Sequence, residues 1–155
     1  MPDRLVFETR EALDQDLANA IVAQLESGIE TRGTATLVVS GGSTPKGLFK
    51  ALSSTPIDWA KVTVLLADER WVAEDHEDSN ARLVKSLLLR NNAQAANWID
   101  FGAGSVDPET ELARINQQLG NTGRFDVVIL GMGGDSHTAS LFPCSVELSE
   151  GLTTP

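Results

Sequence analysis

The chain alternates short apolar runs with longer stretches of periodic hydrophobicity. Leu5-Val6-Phe7 is a brief apolar run and a first strand candidate. From Glu11 to Ile29, Leu13, Leu17, Ile21 and Leu25 recur every fourth residue, which places them on one stripe of a helix. Gly28 and Gly33 punctuate its end. Ala35 to Ser40 is uncharged and rich in β-branched residues, the pattern of a strand buried on both faces. Gly41-Gly42-Ser43-Thr44 reads as a turn, and Pro45 suits the first turn of a helix reaching Leu52. Val62 to Ala67 repeats the buried-strand pattern, and a polar loop follows from Asp68 to Ser79. Asn80 to Leu89 predicts a helix with Leu83, Leu87 and Leu88 toward one side. Asp107-Pro108 starts another that ends near Gly120. Phe125 to Leu130 is a third buried strand, closed by Gly131-Met132-Gly133-Gly134.

Three nearly continuous apolar strands separated by helices predict an α/β fold, a mostly parallel, Rossmann-like sheet with helices on both faces. In such sheets ligands bind beyond the carboxyl ends of the strands. Residues 40–44, 68–70 and 131–137 therefore gather on one rim. No repeat, low-complexity tract or linker divides the sequence, so residues 1–155 are expected to form a single α/β domain. Only about one helix's worth of sequence follows the last strand. The domain is therefore expected to be truncated at its C-terminus.

Composition narrows the partners. Apolar residues make up 41% and charged residues 22%, a globular balance. The net charge of -10 argues against nucleic acid or an anionic membrane as partner, while leaving room for one small anion at a local positive site. Cys144 is the single cysteine, so no intrachain disulfide can form, and it reads as a small buried hydrophobe. With only His76 and His137 beside it, a Cys/His zinc site is not expected. Glu74-Asp75-His76-Glu77-Asp78 reads as a solvated acidic loop rather than a metal site. Trp59, Trp71 and Trp98 read as core or rim packing. No apolar run reaches transmembrane length and Met1 to Arg10 lacks an apolar signal core, so a cytoplasmic protein is expected.

Three segments could carry chemistry. Ser40-Gly41-Gly42-Ser43-Thr44-Pro45 offers close backbone approach, two hydroxyls and a helix N-terminus, which together suit a phosphate. It is not a Walker A loop, because Leu48 stands where the lysine is required. The same residues also suit an ordinary strand-to-helix turn with a Ser/Thr cap. Asp68-Glu69-Arg70 directly follows a strand, where Arg70 suits a carboxylate or phosphate; the alternative is a surface charge cluster. In Gly131 to Thr138, Asp135 stands two residues before His137, an arrangement that suits a general base near neutral pH. Asp135 as a helix cap beside a structural histidine is the alternative.

Jointly the segments are more specific. Ser40-Gly-Gly-Ser-Thr-Pro45, Asp68-Glu-Arg70 with Asp78-Ser-Asn80, and Leu130-Gly-Met-Gly-Gly-Asp-Ser-His-Thr-Ala-Ser-Leu-Phe-Pro143 resemble the glucosamine-6-phosphate isomerase/6-phosphogluconolactonase family. The resemblance covers nearly the whole chain, as the N-terminal two-thirds of a lactonase. Arg70 and the residues after His137 favour the lactonases over the deaminases. Ser136 stands where the family usually has glycine, which adds strain if that position needs a positive φ. The resemblance implies hydrolysis of 6-phospho-D-glucono-1,5-lactone to 6-phosphogluconate, in the oxidative pentose phosphate pathway, with no metal or organic cofactor. It implies His137 as the base on water, Asp135 as its support, Arg70 on the substrate or its developing charge, and a possible direct role for Asp68. Gly41, Gly42, Ser43 and Thr44 would hold the phosphate. The competing expectations are a glucosamine-6-phosphate deaminase-type isomerase, a non-catalytic sugar-phosphate-binding module, and a shortened chain that folds poorly and has no activity of its own. The oligomeric state is not legible.

Overall fold

The computed structural model describes residues 3–104 and 107–153. Helix α1 spans Arg10–Arg32. Thr9 caps it by accepting the amide of Ala12 at 3.1 Å, and Gly33 ends it with φ 83° while donating to the Ile29 carbonyl at 2.8 Å. A left-handed terminal residue is the usual seat of glycine. Gly28 does not end the helix. It lies buried within it, where a Cβ would meet the Arg32 guanidinium at 2.8 Å and Ala35 and Asp126 tightly at 3.0 Å.

Strand β1 (Ala35–Val39) leads to helix α2 (Lys46–Ser53). Strand β2 (Val62–Leu66) leads to helix α3 (Asn80–Leu87). Strand β3 (Asn97–Trp98), helix α4 (Pro108–Thr122), strand β4 (Val127–Val128) and helix α5 (Leu148–Thr153) follow. The sheet is wholly parallel, in the order β3-β2-β1-β4. β1 and β2 run in register from Ala35 beside Val62 to Val39 beside Leu66. The parallel sheet between helices is thus present, with four strands instead of three.

Both faces are covered because successive residues of a strand point to opposite sides. Leu37, Val39, Val64 and Leu66 join Ile21, Leu25, Phe49, Leu52, Trp59 and Val84 in the main core. Val38 and Leu65 face the other way, onto Ile99, Phe101 and Leu119 of α4. The leucine stripe of α1 behaves as its spacing predicts: Ile21 and Leu25 are buried, and Leu17 packs on the core.

Several expectations are corrected. Leu5-Val6-Phe7 forms no strand, and Leu5 and Val6 are exposed. Three apolar residues with no neighbouring strand bury too little surface to hold an extended segment. The run 125–130 pairs over only Val127 and Val128, with Phe125, Val128 and Leu130 exposed. Trp59 is core, whereas Trp71 lies exposed on the rim. Cys144 is exposed, not buried, because its segment packs on neither core: residues 142–144 and Val146 are all exposed.

β4 is fixed at its start by Asp126. One carboxylate oxygen accepts the Thr36 amide at 2.8 Å and the other takes Arg32 at the end of α1. At its far end, the hydroxyl of Ser40 donates to the Ile129 carbonyl at 3.0 Å. These bonds hold the residues after β1 beside those after β4.

Candidate functional site

The carboxyl ends of β1, β2 and β4 open onto a cavity of about 390 Å³. Its wall includes Gly41, Gly42, Ser43 and Thr44, Asp68 and Arg70, and His137, so all three predicted segments meet there. Asp135 is not in the wall; it stands behind His137.

The first loop is shaped by its glycines. Gly42 has φ 90°, a region costly for any side chain. A Cβ on Gly41 would fall 1.7 Å from Oδ1 of Asn80, a side chain that is itself buried. Helix α2, which follows, has Pro45 at its cap position and no side-chain cap bond. Its first amides are therefore not taken by a side-chain acceptor at the cap, which leaves a positive helix end facing the cavity loop.

The end of α3 is arranged the opposite way. Its cap Ser79 accepts the Arg82 amide at 3.1 Å, and Glu69 takes the amides of Asn80 at 2.8 Å and Ala81 at 2.7 Å. Glu69 therefore does not line the cavity, although it lies between two residues that do. Its carboxylate is taken up by the first two amides of α3, the Ser79 hydroxyl and the Arg70 amide. Asp68 faces the cavity, where Oδ2 accepts the Ser140 hydroxyl at 3.0 Å. No ion pair among the described residues claims the guanidinium of the exposed Arg70.

The third segment folds tightly around His137. The amide of Gly133 donates to the His137 carbonyl at 2.8 Å, and Ser136 donates to the Gly133 carbonyl at 3.0 Å. A Cβ on Gly133 would lie 2.2 Å from the imidazole, so glycine is needed for this approach. Ser136 has φ 72°, so the position that usually holds glycine in the family does require a positive φ. His137 Nδ1 meets Asp135 Oδ1 at 2.5 Å, and its ring lies 4.7 Å from that of Phe142. The bond from the His137 side chain, with a second from its amide, holds the Asp135 carboxyl below the usual carboxylate range. Asp135 caps no helix. An imidazole that donates from Nδ1 to this carboxylate leaves Nε2 as its acceptor nitrogen.

Sequence reading missed Arg10 and Asn80. Arg10 comes from the start of α1, pairs with Asp14 and donates to the Thr44 carbonyl. Arg10 and Arg70 are the lining residues with fixed positive charge. Asn80 donates from Nδ2 to the Asp68 carbonyl at 3.1 Å. Among the described residues no helix is long and apolar enough to cross a membrane, and no group of three or more His, Cys, Asp or Glu could hold a metal.

A parallel sheet covered on both faces, with glycine-shaped loops and a carboxylate-bound histidine at its carboxyl edge, defines an α/β domain whose candidate site lies beyond the strand ends. The chain belongs to the family of glucosamine-6-phosphate isomerases/6-phosphogluconolactonase, whose model matches residues 8–154. A 6-phosphogluconolactonase of Rhizobium meliloti is 44% identical over 153 residues, covering 97% of this chain and 66% of that protein. One from Pseudomonas aeruginosa is 48% identical over 132 residues, covering 83% of this chain and 55% of that protein. The crystal structure of a 6-phosphogluconolactonase from Shewanella baltica superposes with TM-score 0.90 at 49% identity, covering 96% of this chain and 64% of that one. The chain thus spans less than two thirds of the length of each of these relatives.

Proposed function

We propose that this chain carries the hydrolytic centre of a 6-phosphogluconolactonase, which opens 6-phospho-D-glucono-1,5-lactone to 6-phosphogluconate. The observation that carries the reading is the contact of His137 with Asp135 at 2.5 Å, with His137 lining a cavity whose other walls include the Gly41–Thr44 loop and Arg70. The relatives named above bear the name of this activity.

The Gly41–Thr44 loop and the start of α2 receive the phosphate through backbone amides and the hydroxyls of Ser43 and Thr44. Arg10 stands beside that loop and adds charge. Nε2 of His137 takes a proton from water as the water oxygen bonds to the lactone carbonyl carbon. Asp135 stabilises the imidazolium that forms. Arg70 offsets the negative charge on the carbonyl oxygen, and Asp68 orients the water or a sugar hydroxyl. Collapse of the tetrahedral intermediate breaks the bond from carbon to ring oxygen, and the departing oxygen takes the proton back from His137. One water is consumed and no electrons are transferred. A charged sugar phosphate does not cross a lipid bilayer unaided, which supports a cytoplasmic setting.

The test is hydrolysis of freshly made lactone by this chain, measured against the spontaneous rate. His137→Ala is expected to lose about 10²–10⁴-fold, the usual worth of a positioned base. A folded chain that does not exceed the spontaneous rate, or a variant as fast as the parent, would overturn the reading.

A further inference from the structure

We propose that Glu69 is a positioning residue for this reaction. Its carboxylate bridges two cavity-wall residues, Arg70 and Asn80, and sets where they stand. The proposal rests on the lactonase reading above.

Glu69 sits between Asp68 and Arg70, both of which line the cavity, and does not line it itself. Oε1 accepts two amides at once, from Arg70 at 2.7 Å and from Asn80 at 2.8 Å. Oε2 accepts the Ala81 amide at 2.7 Å and the Ser79 hydroxyl at 3.3 Å. Four donors thus converge on one group. Only an ionised carboxylate offers that many acceptor positions with no hydrogen of its own. The start of a helix also favours a negative charge.

Helix capping alone would not need this arrangement. Ser79 already serves the third amide of α3, and a short cap side chain on that helix could serve the others. What a local cap could not do is tie the helix to the backbone of Arg70. The shared Oε1 does so, and Asn80 returns the link by donating to the Asp68 carbonyl at 3.1 Å. The loop after β2 is therefore clamped to α3 on both sides of Glu69. Arg70, whose guanidinium has no ion pair among the described residues, takes its place in the cavity from this clamp.

The experiment is a double-mutant cycle on lactone hydrolysis with the parent chain, Glu69→Gln, Arg70→Ala and the double variant, at a temperature where circular dichroism shows each folded. Glu69→Gln turns an NH₂ group toward amides that need an acceptor. It is expected to lower kcat/KM by on the order of 10²-fold, the effect of misplacing a reacting partner by about 1 Å. In the Arg70→Ala background the same change is expected to cost little more. Losses that multiply would overturn the proposal and leave Glu69 as a cap. If Glu69→Gln does not fold, Glu69→Asp keeps the charge and withdraws it by one methylene, and the same cycle applies. An inactive parent chain would defeat the lactonase reading, and the clamp is then decided by NMR. The Arg70 amide and guanidinium resonances and the Asn80 side-chain amide are expected to move together in the Glu69 variant. Unmoved guanidinium resonances would overturn it.

Discussion

The hydroxyl of Ser140 donates to Oδ2 of Asp68 at 3.0 Å, across 72 positions of sequence. This bond joins the segment after β4, which carries His137, to the segment after β2, which carries Arg70. Asp68 is held again through its carbonyl by Asn80. Removing an exposed hydrogen bond of this kind costs only about 0.5–1.5 kcal/mol of stability. Its effect on the relative placement of base and substrate is larger. Ser140→Ala is expected to lower kcat/KM by roughly 10-fold or more with little change in unfolding midpoint. Unchanged kinetics would show that His137 and Asp68 hold their places without it.

Arg10 should report on the phosphate end of the substrate. It reaches the Thr44 carbonyl from α1, so it stands beside the Gly41–Thr44 loop proposed above to receive the phosphate. Hydrogen bonds to charged groups contribute about 1.5–3 kcal/mol, and 1.4 kcal/mol is tenfold in affinity. Arg10→Ala is expected to raise KM about tenfold or more while leaving kcat within a few fold. A fall in kcat at constant KM would move Arg10 from phosphate binding to the chemical step.

The strands and the rim were legible because buried parallel strands are near-continuous apolar runs, and their carboxyl ends collect the polar turns. The candidate residues at those turns, Gly41 to Thr44, Asp68, Arg70 and His137, line one cavity. Two kinds of information were not local. Glu69 has the same chemistry as Asp68 in sequence, and only the approach of the α3 amides shows that one carboxylate turns away from the cavity to tie the helix to the Arg70 backbone. Arg10 is 34 residues from Thr44, and nothing in its own segment announces an anion loop. β3 was missed because two residues, Asn97 and Trp98, carry no period at all. The Leu5-Val6-Phe7 run shows the converse, since a short apolar run becomes a strand only where a neighbour pairs with it.

Gly41 and Gly42 should both resist alanine, for different reasons. Gly42 has nothing within 4 Å of a Cβ but sits at φ 90°. Gly42→Ala is expected to cost about 1–2 kcal/mol from backbone strain alone. Gly41→Ala would drive a methyl into Asn80, whose amide is held by Asp68 and cannot swing aside freely. The cost is of order 1–3 kcal/mol, and the displaced Asn80 should reduce activity as well. Chemical denaturation and lactone hydrolysis on both variants separate the effects. A Gly41→Ala variant with parental stability and activity would contradict the contact.

Ser136 offers a gain. At φ 72° a serine carries roughly 1–2 kcal/mol of left-handed strain that glycine does not. Part of the relief is lost to glycine's greater freedom in the unfolded chain, about 0.5–1 kcal/mol. Ser136→Gly is therefore expected to stabilise the chain by about 1 kcal/mol or less, and Ser136→Val to destabilise it. A destabilised glycine variant in urea unfolding would mean that the Ser136 side chain makes a contact worth more than the strain.

Acid should weaken the fold through three exposed carboxylates. Asp135 is held below its ordinary pKa by the side chain of His137 and then by its amide, Asp107 by the hydroxyl and then the amide of Thr110, and Glu147 by the hydroxyl of Ser145. Each therefore binds its proton less readily folded than unfolded. Their stabilisation is present above the unfolded values, about 4, and is lost as pH falls through the lower folded values. Because all three face solvent, the effect is modest and screened by salt. The expected outcome is a Tm that changes little above about pH 5 and declines steadily below about pH 4 at low ionic strength. Asp135→Asn should flatten that decline, since the variant has no carboxylate left to protonate next to His137. An acid limb of equal slope in parent and Asp135→Asn would show that the His137–Asp135 bond does not contribute to the stability of the folded chain.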